Sequence, residues 1–119
     1  MGAYVDVNRH SLDGKLVQLG TTGGTGEGST AASGTIALTD NVSNYKFLLV
    51  ITAYYSHLQA VYGYSLIPKQ LYSILEEYMY YPVHGGNGVL RFDSYSRKTD
   101  NEIAFICGSS FPISIYGLK

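Results

Sequence analysis

The sequence predicts an all-β fold, an antiparallel β-sandwich or jelly-roll-like architecture with one short helix near residues 69–79. Three observations predict it. Apolar and polar residues alternate with a period of two over several short stretches. Gly, Asn, Asp and Ser punctuate those stretches at short intervals. No regular alternation of strands with helical patterns is present, which argues against the parallel βαβ architectures.

The elements follow in chain order. Residues 1–14 are mixed and polar with no clear period and read as an N-terminal arm. Residues 15–119 read as a single domain, since a chain of 119 residues suits one core. Lys15 to Leu19 alternates and is a first strand. Gly20 to Gly34 is made almost wholly of Gly, Ser, Thr and Ala, which cannot pack a core, so it reads as a glycine-rich loop. Gly34 to Asp40 alternates strictly, with Ile36 and Leu38 on one face and Thr35, Ala37 and Thr39 on the other. Asp40-Asn41 supplies a turn.

Tyr45 to Tyr55 is rich in β-branched and aromatic residues and predicts a strand buried on both faces for much of its length. Ala60 to Ile67 alternates again and pairs with it as an antiparallel hairpin. Pro68 then changes the period. Leu71, Ile74, Leu75, Tyr78 and Met79 fall at helical spacing, with Glu76 and Glu77 on the opposite side, and Pro68 suits the start of a helix. Pro82 and Gly85 to Gly88 make a loop. Val89 to Tyr95 alternates Arg91, Asp93 and Tyr95 against Leu90, Phe92 and Ser94. Ser96 to Asn101 reads as a polar turn, Glu102 to Gly108 as a strand, and Ile113 to Leu118 as the last strand. Six to seven strands are expected.

Composition narrows the function. Charged residues are 14% of the chain against roughly 25% in an average soluble domain. A surface so poor in charge is common where subunits or partners cover it. The net charge of −1 steers toward neither nucleic acid nor anionic membrane. The longest apolar run, Phe47 to Ile51, is far short of the roughly 20 residues that span a bilayer, and the opening MGAYVDVNRH is too polar for a secretory leader. The expectation is a soluble protein without membrane insertion. The single cysteine, Cys107, cannot form an intrachain disulfide and reads as a buried, inert thiol.

Catalytic and metal-binding motifs are not in evidence. His10, His57 and His84 lie far apart and none has a ligand spacing, so no metal is expected. The glycine-rich run lacks the Lys of a phosphate loop and leads into a strand, so no cofactor is expected. No GxSxG elbow is present, and Gly108-Ser109-Ser110 leads to Phe111-Pro112 rather than into a helix. Glu76 and Glu77 are neighbours whose side chains diverge on a helix. The chain is therefore expected not to be an enzyme. Its twelve tyrosines point instead to contact surfaces, because a Tyr ring offers rigid area with a hydrogen-bonding tip. The candidates for receptor binding are Tyr80, Tyr81, His84, Tyr95 and Arg97, which sit at expected loop edges.

Three segments carry a resemblance: SGTIALTDNVSNYKFLLVI (Ser33 to Ile51), SLIPKQL (Ser65 to Leu71) and the closing ISIYGLK (Ile113 to Lys119). In combination they resemble the C-terminal receptor-binding tip domain of phage tail-fibre and baseplate proteins. In that family a glycine-rich lead precedes the first segment, and the chain ends in the last. The likeness runs from about Lys15 to Lys119. It implies a homotrimeric β-sandwich of the virion that adheres to a host cell-surface receptor, glycan or protein, and touches other virion proteins, with no catalytic residues. Alternatives are a structural virion module, such as a fibre cap or head decoration, and a lectin-like carbohydrate-binding domain.

Overall fold

The computed structural model describes residues 16–22, 33–53, 61–84, 90–109 and 111–119. The strands are β1 (Leu16–Thr21), β2 (Ser33–Ala37), β3 (Phe47–Ala53), β4 (Val61–Pro68), β5 (Met79–His84), β6 (Leu90–Thr99), β7 (Glu102–Ile106) and β8 (Ile113–Leu118). One four-residue helix, α1 (Lys69–Tyr72), joins β4 to the segment before β5. The strands form two four-stranded antiparallel sheets packed as a sandwich. The first sheet runs β1-β8-β3-β4 and the second β2-β7-β6-β5. The all-β sandwich expected from the alternation is the fold. The arm at 1–14, the central part of the glycine-rich run, His10 and His57 lie outside the described residues.

Between the sheets, alternate residues of each strand meet. The first sheet contributes Leu48, Val50, Ile67, Ile113 and Ile115, and the second Ile103, Phe105, Tyr81, Val83 and Tyr95, all at most 5% exposed. Burying each such side chain is worth about 1.5–3 kcal/mol, which makes this core the main stabilising feature. Two glycines let the layers approach. A Cβ on Gly117 would meet the ring of Tyr45, and one on Gly63 would meet the backbone of Pro82 where β4 passes β5.

The register of the first sheet stacks its outward residues in three rows of four. Leu16, Leu118, Phe47 and Pro68 form one row. Gln18, Tyr116, Leu49 and Leu66 form the next, and Thr21, Ser114, Ile51 and Tyr64 the third.

The turn after β2 explains the DNVSNY stretch. Asp40 Oδ1 accepts hydrogen bonds from the Asn41 amide and from Asn44 Nδ2, both at 2.8 Å, while Oδ2 accepts from the Tyr45 hydroxyl at 2.9 Å. Asn41 Oδ1 caps the 3-10 turn Val42–Asn44 by accepting from the Ser43 amide. Asp40, Asn41, Asn44 and Tyr45 thus each have a defined task, and the turn delivers Tyr45 into the core.

Three expectations need correction. The helix expected over 69–79 stops at Tyr72. Tyr72 is fully buried, and its hydroxyl donates to the carbonyls of Thr99 at 3.2 Å and Glu102 at 3.3 Å, which anchors the first turn on the second sheet. Continuing the helix would give up the pairing of Met79–His84 with β6, and an isolated helix of this length has little stability of its own. Leu71 and Ile74 of the expected stripe are 43% and 71% exposed. Second, Met79–His84, expected as a helix end and loop, is strand β5. It lies at a sheet edge, where Pro82 can be tolerated without its amide proton. Third, the expected polar turn at Ser96 is a continuation of β6 to Thr99, with a bulge after Arg97.

Candidate functional site

The candidate site is the outward face of the β5–β6 hairpin on the second sheet. Alternation along β5 turns Tyr80, Pro82 and His84 outward and Tyr81 and Val83 inward. Alternation along β6 turns Leu90, Phe92, Ser94 and Ser96 outward. The register lays His84 beside Leu90, Pro82 beside Phe92, and Tyr80 beside Ser94, with Ile106 of β7 on the far side of Ser94. Tyr80 is 65% exposed, Leu90 60% and Phe92 53%. Ser94 lies between Tyr80 and Ile106 with its hydroxyl buried and without a hydrogen-bond partner. No pocket opens among the described residues. A patch of exposed aromatic and aliphatic groups with a histidine at its end can stack on the apolar face of a sugar or on protein side chains.

Of the five expected contact residues, the structure brings Tyr80 and His84 together on this face. Tyr81 and Tyr95 are core residues, not loop-edge residues. Tyr81 pairs across the strands with Asp93, and Tyr95 with Met79 and Phe105, so both point between the sheets. Burial raises both phenols above their usual ionisation range, Tyr81 by the larger margin. The Tyr95 hydroxyl is within hydrogen-bond distance of Ser65 Oγ at 2.9 Å, which ties the second sheet to the first. Arg97 is on the opposite side of β6 from Phe92, beside Ile103, and its guanidinium donates two hydrogen bonds to Asp100 Oδ1 at 3.0 and 3.1 Å. At partial exposure this pair contributes at most about 1 kcal/mol and staples the β6–β7 turn.

Sequence reasoning did not single out Leu90, Phe92 or Ile106. Leu90 and Phe92 form the more apolar set of their strand, and hydropathy alone would turn that set inward. The reverse orientation follows from a buried polar cluster. Asp93 is fully buried and its carboxylate only accepts: from the amides of Gly108 at 2.8 Å and Ser109 at 3.0 Å, from Ser109 Oγ at 2.9 Å, and from Thr52 Oγ1 at 2.7 Å. Because Thr52 gives its one hydroxyl proton to Asp93, the Tyr81 hydroxyl is the donor in its 2.7 Å bond to Thr52. The chain Tyr81 to Thr52 to Asp93 thus crosses from one sheet to the other and back. Four donors offset the cost of burying Asp93, and each has its own proton to give.

Ser109, part of the Gly-Ser-Ser stretch, donates directly to Asp93 with no histidine between them. This arrangement holds the hydroxyl proton on an acceptor and does not prepare a nucleophile. Cys107 is half-buried, and burial raises its thiol to about 12, so it is protonated and inert at neutral pH. Among the described residues, no three His, Cys, Asp or Glu side chains gather at ligand geometry. No family model matches this chain, and neither a curated protein nor a solved structure does.

Proposed function

We infer that the chain is a non-enzymatic adhesive tip of a phage tail fibre or baseplate, binding a host cell-surface receptor, glycan or protein, through the outward β5–β6 face. The observation that carries the reading is the exposed set Tyr80, Leu90 and Phe92 beside His84, mounted on a sheet whose other side is locked into the core. Exposed rings at such density need a partner to justify their contact with water. The resemblance of Ser33–Ile51, Ser65–Leu71 and Ile113–Lys119 to tail-fibre tips supplies the context, and with it a homotrimer in the virion. Three copies multiply weak single-site contacts into firm adhesion.

The test is retention of fluorescently labelled protein on a panel of bacterial strains, read by flow cytometry, beside a glycan array. Retention on some strains that Tyr80→Ala and Phe92→Ala both reduce at least tenfold supports the reading. Retention on no strain and no glycan would point to the structural virion module instead. Retention that both variants keep would move the receptor site off this face.

A further inference from the structure

We propose that the β5–β6 face takes an uncharged sugar and that the Ser94 hydroxyl is the group that fixes it there. The inference rests on this face being where the chain adheres, and it names the ligand class. Asp93 and Tyr95 point between the sheets, where they bond Thr52 and Ser65. Ser94, between them in sequence, therefore points outward, with Tyr80 on one side of it and Ile106 on the other. Among the described residues, its Oγ is the buried side-chain oxygen that has no hydrogen-bond partner. An unpaired buried hydroxyl carries the full cost of leaving water, and native proteins keep few such groups. This one lies among exposed apolar side chains, Tyr80 at 65%, Phe92 at 53% and Ile106 at 38%. Tyr80 has water on its outer side, so its ring can turn between rotamers and uncover Ser94.

Hydrogen bonding, charge and size choose the ligand. A serine hydroxyl and a sugar hydroxyl are each donor and acceptor, so each completes the other. The apolar side of the same sugar ring can lie on Tyr80 or Phe92, and the His84 imidazole, at the end of the patch, offers a nitrogen to a further hydroxyl. Charge argues against an acidic ligand. Arg97, Lys98 and Glu102 stand at the other end of the strands, by the β6–β7 turn, and Arg91 is beside Val83, on the side of β6 opposite Leu90 and Phe92. An anion laid on the patch would give up its water and meet no cation. Size argues against a protein. Three strands about 4.8 Å apart and three rows about 6.7 Å apart give a patch of roughly 290 Å². A specific protein interface takes about 800 Å² from each partner.

The experiment follows retention of the labelled full chain, wild type and Ser94→Ala, on bacteria left untreated, oxidised with periodate or stripped with protease. Periodate cleaves the vicinal diols of sugars and protease removes surface proteins. An array of neutral and acidic oligosaccharides and the melting temperatures of both proteins complete it. The expected result is retention that periodate abolishes and protease spares, with array signal on neutral sugars. Ser94→Ala should lower retention and array signal at least tenfold while melting at the wild-type temperature or above it, because the hydroxyl it removes has no partner to lose. A lower melting temperature would give Ser94 a structural role and overturn the proposal. So would binding that Ser94→Ala keeps, or array signal on acidic sugars alone. Retention lost to protease and kept after periodate would identify a protein receptor, which overturns the sugar and leaves the adhesive reading standing. Retention on no strain, with no array signal, removes the adhesive reading and this proposal with it.

Discussion

The two sheets share one core and differ on both of their sides. Inward, the first sheet is mainly aliphatic, with Leu48, Val50, Ile113 and Ile115, and with Thr52 and Ser65 as polar members that reach the second sheet. The second sheet faces it with Tyr81, Tyr95 and the fully buried Asp93 beside Val83 and Ile103. Outward the contrast turns round. The first sheet shows three rows without a charge, and the second mixes exposed Tyr80 and Phe92 with His84, Glu102 and serines. Strand alternation sorts residues into two sets and does not say which set is inside. In β6 the set with the acid is inside, because Thr52, Gly108 and Ser109 converge on it. Hydrogen-bond satisfaction decided the orientation there, and apolar area decided it in β3.

The comparison can be broken most directly at Asp93. Asp93→Ala removes four hydrogen bonds to a carboxylate and strands the donors of Thr52, Gly108 and Ser109. The expected loss is about 3–5 kcal/mol in urea unfolding, a large part of the stability of a domain this size. A loss under about 1 kcal/mol would show that the polar side of the core is dispensable.

Tyr80 and Tyr81 are adjacent in sequence and opposite in role, which gives a paired test. Tyr81→Ala opens a cavity and costs about 3–5 kcal/mol. Tyr80→Ala, on the outward face, changes stability by less than about 1 kcal/mol while reducing cell retention. Similar thermal shifts for the two would erase the distinction between the faces.

Alkaline titration sharpens the same contrast without mutation. Burial raises the phenols of Tyr72, Tyr81 and Tyr95 in the folded state. Their contribution to stability is therefore complete below about pH 10, where unfolded tyrosine is neutral, and is lost as pH rises beyond it. Phenolate absorbance should include a late stage in which the core set ionises only together with unfolding. A single smooth rise, with circular dichroism unchanged, would place the core tyrosines in water.

The smallest effect belongs to the turn. Hydrogen bonds from the Asn41 amide, Tyr45 and Asn44 hold the Asp40 carboxyl below its ordinary value of 3.8. The stability it contributes is present above that value and is lost as pH falls through the lowered one. Melting temperature followed from pH 5 downward should fall more steeply for the wild type than for Asp40→Asn, and parallel curves would remove Asp40 from the account.

Much of this was legible along the chain. Seven of the eight described strands fall on stretches read as strands along the chain, β1, β2, β4 and β6 by their period of two and β3 by its β-branched and aromatic residues, and Asp40-Asn41 marks its turn by composition alone. The strand β5 was hidden because Leu71 to Met79 also satisfies a helical period, and local pattern cannot weigh a helix turn against a strand partner ten residues further on. Two of the five candidate contact residues, Tyr80 and His84, share the site. Tyr81 and Tyr95 do not, because a tyrosine serves a core or a surface equally well until a partner for its hydroxyl is known.

By itself, then, the sequence determined that this protein is a low-charge antiparallel β-sandwich, since alternation, turn residues and poverty of charge are properties of neighbours along the chain. Only the tertiary structure decided where the helix ends, that Asp93 is inside and Phe92 outside, and that the charge-free residues of β1, β3, β4 and β8 share one face. Those outcomes depend on Tyr72 reaching Thr99 and Glu102, on Thr52 and Ser109 reaching Asp93, and on the register of four strands, all contacts between residues far apart in sequence.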